Sequence, residues 1–313
     1  MRRLPTIAVL CAALLLSAAA CQGDETEPDA TRTTPVETPE PTGDGTPVAT
    51  PTESEPVPED IKASDFDPSL FDEDSANIDN EWWPLQPGTR WVWEGHAFED
   101  GRRVERRVVF VVTDLTKTIA GVRTRVGWDN DYNDGVLGET EIIFLAQDRA
   151  GNVWHLGQHR EVYEDEFVGS RLWIVGDPEG AEAGILMKAD PTQKTRSYSQ
   201  GFAPPPWDWD DRARVYRTGV QDCVPIDCFD DVLVIDEFEP SVPGAHQLKY
   251  YARGVGNIRV GWMGAGEEER EVMVLVKFEQ LSPEALAKAR EQALAIEYRA
   301  YAYARTEPAE IDG

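Results

Sequence analysis

Residues 78 to 95 read Ile78-Asp79-Asn80-Glu81-Trp82-Trp83-Pro84-Leu85-Gln86-Pro87-Gly88-Thr89-Arg90-Trp91-Val92-Trp93-Glu94-Gly95. Pro87-Gly88 is a turn signal, and the residues after it favour a strand. Trp91 and Trp93 stand two apart, so they share one face of that strand. A turn leading directly into a strand with two tryptophans on one side marks the start of a β domain with an aromatic core.

The period of two recurs downstream. Val104, Val108, Phe110 and Val112 fall on one face, while Arg103, Glu105 and Arg107 fall on the other. Tyr132-Asn133-Asp134-Gly135 is a hairpin turn into residues 139 to 145, and Arg149-Ala150-Gly151-Asn152 is a turn into residues 153 to 156. Trp207 and Trp209 alternate with Asp208 and Asp210 at the head of a strand reaching Tyr216. Further short strands are predicted over residues 232 to 238, 247 to 252, 257 to 262 and 271 to 278. With no helical pattern between them, about a dozen strands predict an all-β domain with a C-terminal helix, its antiparallel sheet strongly curved or closed as a β-barrel. That domain is expected over residues 78 to 280.

The C-terminal segment changes period. Ser282-Pro283-Glu284 supplies an N-cap, a proline at the first helical position and an acid in the first turn. Leu286, Ala289, Ala293, Ile296, Ala300 and Tyr303 then recur at spacings of three and four. This predicts a helix within residues 281 to 305, about 22 residues and near 33 Å long, with a disordered tail over 306 to 313. Its apolar stripe packs on the sheet, covers an open end of a barrel, or docks a protein partner.

Upstream of the domain the chain has a different character. Arg2 and Arg3 precede an uncharged apolar run over residues 4 to 16, then Ser17-Ala18-Ala19-Ala20 and Cys21. Positive, apolar and small, in that order, is the layout of a secretory signal, expected over residues 1 to 20. The run is shorter than the roughly 20 residues of a spanning helix, so cleavage before Cys21 is expected. Cysteine at the cut resembles the bacterial lipoprotein signal, with Ala18 where leucine is usual. That resemblance implies a lipid on Cys21 as the membrane anchor; a secreted soluble protein is the alternative. Residues 21 to 77 then form a stalk rich in Thr, Pro and acids. It holds too little apolar surface to offset chain entropy, so disorder is expected.

The stretch from Ile78 to Gly95 also resembles the opening of a recurrent group of exported bacterial β-rich proteins, many of them lipoproteins. Their pattern is IDNP-x-x-PL-x-PGT-x-W-V-Y-E-G. The likeness continues through Thr118-Ile119-Ala120-Gly121-Val122, Ala146-Gln147-Asp148, Gly151-Asn152-Val153-Trp154, Phe229-Asp230-Asp231 and Tyr250-Tyr251-Ala252 to Gly254-Val255-Gly256. Such proteins often carry cysteines where this chain has Thr124 and Val232. The resemblance implies a β fold and an extracytoplasmic location, and it brings no assigned chemistry.

Cys223 and Cys228 flank Pro225 and, in an exported protein, are expected to form a local disulfide. A zinc site is the alternative, but only Asp222 and Asp227 are near, with no histidine. The formal net charge of −28, from 58 acidic and 30 basic residues, argues against a nucleic-acid partner. Asp129, Asp131, Asn133 and Asp134 resemble the start of a calcium loop, yet Asp134 stands where an EF-hand requires glycine, so a polar hairpin turn is expected. His155 and His159 read as surface histidines on either side of a turn at Gly157-Gln158.

No nucleophile motif or phosphate-cradling loop occurs, so no catalytic residue, metal or cofactor is assigned and no enzyme is expected. Trp82, Trp83, Trp207 and Trp209, with Pro204-Pro205-Pro206, are the distinctive aromatic set. They predict a platform or slot for an apolar or glycan ligand, or else ordinary core packing. The function expected is a tethered, non-enzymatic binding or carrier module. The alternatives are an interaction module working through its sheet edge or helix, and a hydrolase.

Overall fold

The computed structural model describes residues 65 to 312, apart from 165, 206, 208, 303 and 305. The leader, Cys21, most of the stalk and Tyr303 lie outside the described residues. The strands are β1 (Thr89–Glu99), β2 (Arg102–Ile119), β3 (Val122–Asn133), β4 (Val136–Gln147), β5 (Val153–Glu164), β6 (Glu166–Ile174), β7 (Glu182–Met187), β8 (Tyr198–Ser199) and β9 (Gly201–Phe202). They continue as β10 (Arg212–Val224), β11 (Asp227–Phe238), β12 (His246–Ala252), β13 (Gly256–Met263), β14 (Val272–Gln280) and, after the helix α1 (Pro283–Ala300), β15 (Glu310–Ile311).

All fifteen belong to one antiparallel sheet, ordered β8-β10-β11-β12-β13-β14-β1-β2-β3-β4-β5-β7-β9, with β6 beside β5 and β15 beside β2. The meander follows from tight turns. Between β3 and β4, Asp134 and Gly135 have φ of 48° and 82°, the backbone that a two-residue hairpin requires. The sheet is curled, not closed. Its two ends meet on one stretch of chain, where Tyr198 and Ser199 pair with β10 while Gly201 and Phe202 pair with β7. Between them the Gln200 amide donates to the carbonyl of Asp211 at 2.8 Å.

The alternation read on β2 holds, with Val104, Val108, Phe110 and Val112 buried and Arg103, Glu105 and Arg107 exposed. Trp91 is fully buried in the core, and its indole Nε1 donates to the Val255 carbonyl at 2.7 Å. Trp93 donates likewise to the Asn257 carbonyl at 3.0 Å, so the opening strand is tied to β13 and the loop before it. Cys223 and Cys228 are paired across the β10–β11 hairpin and joined as a disulfide.

The domain begins earlier than expected. A 3₁₀ turn at Pro68–Leu70 is capped by Asp67, and Phe66 and Phe71 pack on Trp154 with ring centroids 5.8 Å apart. Acidic neighbours give these residues the composition of the stalk, yet two aromatic rings hold them on the sheet. The tail was expected to be disordered, but β15 bonds to Leu115 and Thr116, which lie beyond the reach of β1 along the long β2. Asp312 pairs with Arg123 and, at 2.5 Å, with Arg125.

Helix α1 is capped by Ser282, whose hydroxyl accepts from the Ala285 amide at 3.3 Å. Ala289, Ala293, Ile296 and Ala300 form its buried stripe, packed on β2, β4 and β5. Beneath it a fully enclosed ion pair joins Lys117 to Glu297 at 2.7 Å, and the Lys117 ammonium lies 5.9 Å from the Phe144 ring. The apolar stripe is therefore occupied by the chain's own sheet.

Three substitutions check this architecture. A Cβ on Gly184 would lie 2.0 Å from backbone atoms of Gln200 and Gly201 at the meeting of the two sheet ends. Gly184→Ala should therefore lower stability by about 2 kcal/mol or more in urea unfolding, since an overpacked site must shift backbone. Gly169→Ala meets nothing within 4 Å and should leave stability unchanged. Glu297→Ala strands the Lys117 ammonium in the interior and should cost about 3 kcal/mol or more by the same measurement.

Candidate functional site in the curled sheet

Curling brings the inner faces of most strands around one space, a cavity of about 370 Å³. Among the described residues ten carboxylates line it. Two come from β3 (Asp129, Asp131), two from β4 (Glu139, Glu141), and Asp211 precedes β10. Glu237 of β11 and Glu239 after it add two more, and Glu267, Glu269 and Glu271 lie in the approach to β14. Most are spaced two apart, the period that returns a strand to the same face. The register sets them side by side, Asp129 opposite Glu141 and Asp131 opposite Glu139.

Charge is confined to one end. On β2, Arg106 precedes Val108 and Phe110; on β4, Glu139 and Glu141 precede Ile143; on β12, Gln247 and Lys249 precede Tyr251. Glu269 and Glu271 precede Met273 of β14 in the same way. These four strands alternate with their antiparallel neighbours in the sheet, so they all run in one direction. The cavity thus has a carboxylate-rich end and an apolar end lined by Phe110, Ile143, Tyr251, Met273 and Trp83.

Three cations neutralise part of the acidic end. Arg106 pairs with Asp131 at 3.1 Å and Glu271 at 3.2 Å, Arg160 with Glu139 at 2.5 Å, and Lys249 with Glu237 at 2.6 Å. Burial still dominates the titration. It pushes Glu139 up to about 7 against the pull of Arg160, and Glu141 up to about 8 with Glu139 adding repulsion. Burial also lifts Asp211 to about 7 and Glu269 to about 8, and it raises Asp129, Asp131, Glu267 and Glu271.

The predicted tryptophans separate. Trp83 and Trp209 line the cavity, whereas Trp82 and Trp207 do not. Trp82 is buried under the Arg253 guanidinium, 4.0 Å from its ring centroid. Trp207 belongs to a small second core with Trp173, Ala181, Ala203 and Trp209. The strand expected to start at Trp207 begins instead at Arg212, and Trp209 bridges back to Ala203 within a loop. Trp93, missed as a cavity residue, belongs to the opening motif itself.

Both histidines of the 155/159 pair are buried, contrary to their reading as surface residues. Gly157 and Gln158 continue β5 instead of turning. A register shift opposite Leu145 lets His155 and Gln158 face the cavity. His159 lies beside Ser170 and, at 3.7 Å, Glu161. The His155 ring stands edge-on to Trp173 and Trp209, and burial holds it neutral, pushed down to about 3. Asp129 and Asp131 are strand residues, Asp134 pairs with Arg102 at 2.7 Å, and among the described residues no three His, Cys, Asp or Glu side chains converge as a metal site.

No protein-family model matches the chain, and no curated protein does. Two solved structures are similar to it. One is a protein of Bacteroides fragilis inferred to be exported, with a YmcC-like fold; it matches at 12% identity and a TM-score of 0.37, over 63% of this chain and 98% of its own. The other, from Parabacteroides distasonis and inferred to be a lipoprotein, matches at 14% identity and a TM-score of 0.34, over 63% and 98% respectively. Likenesses this distant transfer no role.

The raised carboxyls make stability depend on pH with a defined sign. A carboxyl whose folded pKa lies above its unfolded value takes up a proton on folding; that contribution is present at low pH and is lost as pH rises through the folded value. For Glu139, Glu141 and Glu269 the window runs from about 4.5 to 7 or 8. Thermal melts should show Tm falling from pH 5 to pH 9. Glu141→Gln should raise Tm at pH 8 by about 3 °C or more, the shift of about 1 kcal/mol in a domain of this size, and should flatten the slope.

Proposed function

We propose that the protein is an extracytoplasmic, membrane-tethered binding module that holds a small molecule inside its curled sheet. The observation that carries this is the cavity itself. At about 370 Å³ it falls in the size range of small-molecule sites, and polar groups lie at one end with aromatic walls at the other. Export is supported by the leader pattern and by a disulfide that suits an oxidising compartment. Cys21 at the expected cut supplies the tether, and among the described residues no helix is long and apolar enough to cross a membrane.

A hydrolase is the second reading, favoured by carboxyls lifted toward neutral pH in the same cavity as a neutral imidazole. It requires turnover of a supplied glycoside or ester that Glu141→Gln abolishes.

Native protein extracted from membranes and weighed intact should carry a diacylglyceryl group on Cys21 and release a small molecule on denaturation. Cys21→Ser should move the protein to the soluble fraction with the domain still folded. Retention of that variant in membranes would refute the tether. Native protein that releases nothing, and binds no probe of any class, would refute the binding role.

A further inference from the structure

Six of the lining carboxylates, Asp129, Glu141, Asp211, Glu239, Glu267 and Glu269, form no ion pair among the described residues. The nearby cations are already engaged: Arg106 with Asp131 and Glu271, Arg160 with Glu139, Lys249 with Glu237. So many enclosed carboxylates with so few cations carry an electrostatic cost that, beyond those ion pairs, only protonation relieves. Glu239 and His155, in the same wall, each hold buried polar atoms without a hydrogen bond. Glu239 is 7% exposed, and its Oε2 is buried without a hydrogen bond. His155 is 2% exposed and neither ring nitrogen is bonded, the Gly157 and Gln200 backbone lying close by but outside hydrogen-bonding geometry. Buried polar atoms of this kind are rare in native proteins and call for a partner.

What would satisfy all of them is constrained. A single metal ion does not fit, because the carboxylates are spread over β3, β4, β11 and the approaches to β10 and β14 and no three converge. A neutral sugar leaves the charge uncompensated, and a fatty acid adds to it. The far end of the cavity is aromatic and aliphatic, and Trp83, Trp93, Phe110 and Tyr251 supply there side chains of the kind that attract cations as well as apolar groups. Neutral His155 can accept a hydrogen bond from an ammonium without repelling it.

We propose that the cavity binds a small organic amine, its protonated nitrogens held by the unpaired carboxylates and its apolar body by the aromatic end. This deepens the binding role proposed above and rests on it. Cation binding favours the ionised carboxylates, so uptake of the amine expels protons. Glu141 faces Glu139, Asp131 and Asp129 against Arg160 and Lys249, and Asp211 faces Glu237 and Glu239 against Lys249. Glu269 faces Glu271, Glu267 and Glu99 against Arg106. In each case the acids outnumber the cations, and affinity rises with pH from 6 to 8.

The test is titration calorimetry on the full mature protein with spermidine and tryptamine as amine probes, and cellobiose and decanoate as neutral and anionic probes. At least one amine should bind, with proton release detected as a buffer-dependent heat. Asp129→Asn with Glu141→Gln should weaken it at least 10-fold, and Glu269→Gln should weaken it too. These variants remove charge that burial opposes, and a thermal melt confirms that they fold. If cellobiose or decanoate binds and neither amine does, the amine assignment is wrong while the binding role stands. Amine binding that the carboxylate variants leave unchanged also overturns it. Failure of all four probes, with nothing released from native protein, overturns both.

Discussion

Hydrogen bonds from Tyr198, Ser199, Gly201 and Phe202 hold both ends of the sheet at once, and the interior depends on that join. An open sheet of this length would leave its inner residues facing water, where carboxylates are well solvated. Bringing β10 and β7 onto the same stretch turns those residues toward one another. Gly184 permits the approach because no side chain could fit between its backbone and that of Gln200 and Gly201. Gln200 itself faces the cavity and donates to Glu237 at 2.8 Å, so join and interior share a residue.

The polarity of the cavity is a consequence of strand direction. In an antiparallel meander every second strand runs the same way, so a sequence order of charge before apolar residues on β2, β4, β12 and β14 becomes a spatial separation. The ion pairs of Arg106, Arg160 and Lys249 keep the charged end from being wholly anionic, and the remainder is met by proton uptake. A site built this way has two opposed demands: low dielectric disfavours its charges, and a cationic guest restores them.

Much of the fold was legible locally. Period-two alternation located β2 and the strands after residue 230, and Asp134-Gly135 located a hairpin, because strand faces and two-residue turns are properties of neighbouring residues. The candidate site was not legible in the same way. Asp129 and Asp131, or Glu139 and Glu141, look like solvent-facing acids in a chain with 58 of them, and only the curl of the sheet turns them inward. His155 reads as a surface residue until a register shift in β5 turns it toward the cavity, and His159 is buried elsewhere, beside Ser170 and Glu161. The order of residues 307 to 312 rests on contacts with β2, Arg123, Arg125 and Glu297, all distant in sequence.

The Phe66 and Phe71 rings rest on Trp154, which pairs with Ala146 near the end of β4 remote from Glu139 and Glu141. The chain therefore enters the folded body at the pole opposite its carboxylates. The residues through which the chain joins the sheet and the residues that carry its charge thus lie apart.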